Sequence, residues 1–196
     1  MKIMNRSELK ERFGVYLNQI PILVSANADW ALLHYIIIFP DICGALEQAS
    51  GQGLKGGKSY MNWAQRYLED AVLNAEEWYE MRCLLLHQGI TLGRGRYAKY
   101  SYKSPSTTNI KHKQIIGGTI TLDVHALKEE IMNGLEKWFI DIESRQNIKA
   151  SVNVEKNIKA IATILPVHAP GSPTAILGGP VISGATTTSY ISPNQF

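Results

Sequence analysis

Arg82 and His87 stand out by residue type and spacing. They bracket an apolar run in the stretch Met81-Arg82-Cys83-Leu84-Leu85-Leu86-His87-Gln88-Gly89. A guanidinium grips a phosphate through two parallel hydrogen bonds. An imidazole moves protons at neutral pH. Phosphodiester transfer needs both services, charge stabilisation and acid–base help. Spacing complicates the pairing. On a straight helix, residues five apart differ by about 140° around the axis, so a shared site requires Arg82 to bend or a second surface to close on it. His87 falls in the last turn before Gly89, where the helix dipole favours a positive side chain. Asp41 follows Pro40 on an otherwise apolar helix and is a candidate to orient Arg82. A structural reading stands beside the chemical one. In it Arg82 is a buried ion-pair partner of Asp41, Glu47 or Glu80, and His87 is a C-terminal cap.

Other site chemistries find less support. The loop Gly51-Gln52-Gly53-Leu54-Lys55-Gly56-Gly57-Lys58-Ser59 resembles a phosphate-binding loop, but Gln52 occupies the position that needs the first glycine, and the loop follows a helix where that motif follows a strand. It reads as a flexible connection. His34, His87, His112, His125 and His168 are scattered, with no Cys or His pair at metal-ligand spacing, so neither metal nor cofactor is expected. No Gly-x-Ser-x-Gly elbow occurs.

The net charge of +3 is modest, but its distribution is uneven. Residues 81–122 hold Arg82, Arg94, Arg96, Lys99, Lys103, Lys111 and Lys113 with no acidic residue, a local +7, which leaves 13 basic and 17 acidic residues elsewhere. Such a patch suits anion or nucleic-acid contact, with Tyr97, Tyr100 and Tyr102 interleaved to stack on bases. It also suits a solubilising loop surface with the tyrosines in the core. Cys43 and Cys83 both sit among apolar neighbours and fit a reducing cytosol better than a disulfide framework. The N-terminus lacks a signal-peptide apolar stretch, and the apolar run Tyr35 to Phe39 is too short to cross a bilayer. A cytoplasmic protein without membrane contact is expected.

These residues need a frame. Leu9, Phe13, Tyr16, Leu17 and Ile20 recur at helical spacing, and the helix they predict stops at Pro21. A second, apolar helix runs from about Asp29 to Gln48, kinked or split at Pro40. Ser59 is a candidate cap for a third helix with Tyr60, Trp63, Tyr67, Leu68 and Ala71 inward. Asn74 and Glu77 read as a capping box for a fourth, which carries Arg82 and His87 and ends at Gly89. The period then changes, and about residues 97–122 read as a two-stranded insert broken at Gly117-Gly118. Asp123 caps a long helix with Leu127, Ile131, Leu135, Trp138 and Ile142 inward. The expectation is a mainly α chain: a bundle of four to five helices over 1–159 with a short two-stranded β insert before the last long helix. Residues 160–196 contain no Asp, Glu, Lys or Arg and five of the eight prolines, which reads as a low-complexity, disordered tail.

Roughly over residues 5 to 150 the chain resembles the HEPN superfamily, whose signature is Arg, four to six residues, then His near the end of a bundle helix. The segment Trp78-Tyr79-Glu80-Met81-Arg82 through His87-Gln88-Gly89 carries the resemblance, with the apolar helix ending Asp41-Ile42-Cys43-Gly44-Ala45-Leu46-Glu47 and the start Ser59-Tyr60-Met61-Asn62-Trp63. The resemblance implies a metal-independent endoribonuclease acting as a homodimer, with two motif helices framing an RNA cleft. Arg82 would stabilise the scissile phosphate, His87 would transfer protons, and Asp41 and Cys83 would support them. Arg94, Arg96, Lys99, Lys103, Lys111 and Lys113 would bind the RNA. The superfamily also includes non-catalytic RNA- or protein-binding modules, and a purely structural homodimer is a further alternative. The chain departs from the pattern twice: Cys83 follows the arginine where active members carry a polar residue, often Asn, and Gly89 stands where one toxin-type variant carries Tyr.

Overall fold

A computed structural model describes residues 4–105 and 109–161. The chain is mainly α, with a small mixed sheet before the last helices. The disordered tail expected over 160–196 lies, from residue 162 on, outside the described residues.

Three short helices follow one another at the N-terminus: α1 (Arg6–Arg12), α2 (Gly14–Leu17) and α3 (Gln19–Ser25). Pro21 does not end a helix. The interruption falls at Asn18, which places Pro21 in the first turn of α3, where its missing N–H breaks no hydrogen bond. Next come α4 (Asp29–Ile36) and α5 (Phe39–Leu46), split at Ile37-Ile38 so that Pro40 again sits in a first turn. Together Asp29–Leu46 are long and apolar enough to cross a bilayer by length and composition, unlike the shorter Tyr35 to Phe39 run, and half of that stretch is buried inside the fold.

Helix α6 (Lys58–Tyr67) is capped by Gly57 in the left-handed conformation. Ser59 lies inside the helix, and its Oγ instead accepts from the Leu54 amide at 3.1 Å. Tyr60, Trp63, Tyr67 and Leu68 are buried as expected, with Ala64 in place of exposed Ala71. Helix α7 (Ala75–Cys83) starts with the Asn74–Glu77 capping box.

The insert has three strands, not two: β1 (Lys99–Lys103), β2 (Gln114–Ile116) and β3 (Thr119–Asp123) in the order β1-β3-β2. Gly117 and Gly118, both at positive φ, turn the chain from β2 into β3 and divide what reads in sequence as one strand. Strand β1 pairs parallel to β3. Asp123 then caps α8 (Val124–Ser144) through the amides of His125 and Ala126. The five inward positions expected on α8 are all buried, and Phe13 meets Trp138 and Phe139 edge-on at 5.6 and 5.3 Å. A helix not anticipated from sequence, α9 (Ile148–Asn157), follows a left-handed Arg145 and an Asn147 cap.

Candidate active site

Helix α6 packs against both α5 and α7, which brings Asp41 on α5 within reach of Arg82 on α7. Arg82 Nε donates to Asp41 Oδ2 at 2.7 Å, the contact anticipated from sequence. Burial works against the guanidinium's charge, but the hydrogen bond and charge of Asp41, joined by the Cys83 thiol, outweigh it and hold Arg82 cationic more firmly than a free arginine. The arginine side chain keeps 19% exposure and the aspartate 32%, so the pair is sheltered rather than sealed.

The angular problem posed by the five-residue spacing has a local solution. After Cys83 the helix widens into a π turn over Leu84–Gln88, closed by the Gly89 amide donating to the Leu84 carbonyl. In such a turn the bond spans five residues where an α turn spans four, so residues five apart come round to a common side. Arg82 Nη1 lies 2.5 Å from His87 Nε2. Arginine can only donate, so Nε2 must be the acceptor, and in this geometry the ring proton sits on Nδ1. Gly89, at φ 60°, ends the turn in the left-handed conformation that glycine adopts without strain. Leu84 and Leu85 face the core while His87 is exposed.

Cys83 is half-buried, unlike buried Cys43, and does not pair with it. The Cys83 thiol beside the Tyr79 hydroxyl, with burial, pushes that phenol's pKa up. Two further phenols were not singled out for this site from sequence. Tyr60 is fully buried near Asp41 and Arg82, burial first and Asp41 second pushing its pKa well up, and its hydroxyl, like that of Tyr102, has no hydrogen-bond partner among the described residues. Only the fold could reveal them, because α6 and β1 reach the site from distant parts of the chain.

The basic residues divide. Lys103 pairs with Asp123 at 3.1 Å, and Lys113 with Asp70 at 2.5 Å and Glu130 at 2.7 Å; both lysines are only 11% exposed. These two ammonium groups tie the insert to the body of the fold and do not form part of an open basic surface. Arg96 stands 3.8 Å from Glu77 and over the Tyr97 ring. The Arg94 guanidinium reaches Gln88 at 3.4 Å. Lys99 and Lys111 are exposed. Tyr97 and Tyr100 are core residues whose hydroxyls donate to the Val72 carbonyl and to Glu80, each at 2.6 Å, so neither is a stacking platform. Among the described residues, no three His, Cys, Asp or Glu side chains converge to hold a metal ion.

Compared with family models, curated proteins and solved structures, the chain has no match.

Proposed function

We propose that this chain is a HEPN-like, RNA-directed protein that cuts single-stranded RNA without a metal ion, as a homodimer. The observation that carries the reading is the contact between Arg82 and an exposed His87 across a π turn, with Arg82 anchored from behind by Asp41. π turns inside helices are rare and cluster at functional sites. In the reaction, the 2′-hydroxyl attacks the adjacent phosphorus and loses its proton to His87. The P–O5′ bond breaks, the 5′-oxygen is protonated as it leaves, and a 2′,3′-cyclic phosphate remains. The Arg82 Nη groups stabilise the charge that builds on the phosphate oxygens. Dependence on the 2′-hydroxyl makes the activity selective for RNA over DNA.

A second reading is supported by the same geometry. Asp41 and His87 already engage Arg82, and Cys83 is a weak hydrogen-bonding residue beside it, as suits a non-catalytic module that binds RNA or a protein partner. Incubating the purified chain with single-stranded RNA in excess chelator separates the two. Cutting that His87→Ala removes supports the nuclease. Tight, steeply salt-dependent binding without cutting supports the module.

A further inference from the structure

A cleft of about 500 Å³ lies beside the Arg82–His87 pair. Its near edge is formed by Cys83 and Gln88, the chain neighbours of Arg82 and His87. One wall is the α7 face that carries Glu77 and Glu80, and the other includes the turn that carries Arg94 and Arg96. Glu80 fixes that turn in place. Its Oε1 accepts from the amides of Arg94 and Gly95, at 2.5 and 3.0 Å, and its Oε2 accepts from the Tyr100 hydroxyl. Glu80 is therefore satisfied.

Glu77 is not. It is only 4% exposed, and its Oε2 accepts from the Asn74 amide at 2.7 Å in the capping box. Its Oε1 is buried with no hydrogen-bond donor among the described residues, and the Arg96 guanidinium stands 3.8 Å away, beyond hydrogen-bond reach. A buried carboxylate oxygen in that condition is costly unless a donor arrives. The cleft thus offers an unfilled acceptor on one wall and guanidinium donors on the other.

We propose that this cleft is a guanine-selective nucleotide subsite. Guanine carries two adjacent donors, N1–H and the 2-amino group, on one edge, and two acceptors, O6 and N7, on another. The first edge meets Glu77 Oε1. The second meets Arg94 or Arg96, the commonest arginine pairing with this base. Adenine and cytosine offer a single amino group to the carboxylate. Uracil offers one N–H flanked by two carbonyls that the carboxylate repels. The order expected is guanine first, cytosine and adenine next, uracil last. Placing the base next to the scissile phosphate rests on the endoribonuclease reading, whereas the selectivity stands on the cleft alone.

The test is calorimetric titration of the full chain with GMP, AMP, CMP and UMP, alongside mapping of cuts in an RNA that contains a single guanosine. GMP should bind at least about tenfold more tightly than UMP. Glu77→Gln, which preserves the capping box, should erase that difference, and Arg94→Ala should weaken GMP alone. Equal binding of all four nucleotides, undetectable GMP binding, or a preference that survives both substitutions would overturn the subsite. Selective GMP binding by a protein that cuts no RNA keeps the subsite and removes the nuclease. Cutting with no base preference keeps the nuclease and removes the subsite.

Discussion

Arg82 is shared between Asp41, which holds it, and His87, which it touches. Each contact makes a separate claim. His87 is exposed and contributes little packing, so His87→Ala should lower RNA cleavage by about 100-fold or more, the scale of lost acid–base help, while leaving the melting temperature unchanged. Asp41→Asn should keep His87 in place but loosen the guanidinium, giving a smaller loss of cleavage, about tenfold on the scale of one misplaced charged contact. Arg82→Ala should remove cleavage and also destabilise the fold by about 1–2 kcal/mol, between the values for exposed and buried pairs, because it leaves a half-sheltered carboxylate alone. Denaturant unfolding of the three variants checks that ordering. A destabilisation by His87→Ala equal to that of Arg82→Ala would make the histidine an internal strut.

At the scale of the element, the π turn decides whether the two residues form a site. Gly89 closes it at φ 60°, a conformation that costs other residues about 1 kcal/mol. Gly89→Ala should lower stability by about that much and reduce cleavage further than the stability loss explains, since the turn that aligns Arg82 with His87 is strained. Helix boundaries set by local chemistry were legible in the sequence. Asn74 with Glu77, Asp123 ahead of α8, and Gly89 as a terminator all act within a few residues. The π turn was not, because a single extra residue in a helical turn leaves no mark on composition or hydrophobic spacing. Helix α9 was missed for a related reason: its inward positions, Ala150, Ser151 and Val154, are too small or polar to form an apolar stripe. The third strand was hidden because Gly117-Gly118 reads as a flaw in one strand as easily as a turn between two. The basic patch was misjudged because the acids that neutralise it lie far away in sequence: Asp70 and Glu130 meet Lys113 across 43 and 17 residues.

Those long-range pairs govern the molecule as a whole. Burial pushes the carboxyl pKa values of Asp70, Asp123 and Glu130 upward. Lys113 and backbone amides at Asp70, backbone amides and Lys103 at Asp123, and His112 with Lys113 at Glu130 more than reverse it, leaving all three below their ordinary range. Asp29 is lowered by its hydrogen bonds to Ser104 and then His125. A carboxylate whose pKa falls on folding stabilises the native state above its unfolded value, and that contribution is lost as pH drops through the folded one. Stability should therefore hold at neutral pH and fall below about pH 4, where unfolded carboxylates begin to protonate. Lys113→Ala, which leaves Asp70 and Glu130 without their shared cation, should cost about 2 kcal/mol at neutral pH and flatten that acid limb. Urea unfolding followed against pH measures both.

The most direct measurement is end-group analysis of a short single-stranded RNA incubated with the full chain in excess chelator. The account requires fragments that end in a 2′,3′-cyclic phosphate and begin with a 5′-hydroxyl, formed by the wild-type chain and not by His87→Ala, with the matching DNA left whole. Intact RNA, or the same fragments from a folded His87→Ala protein, would contradict it.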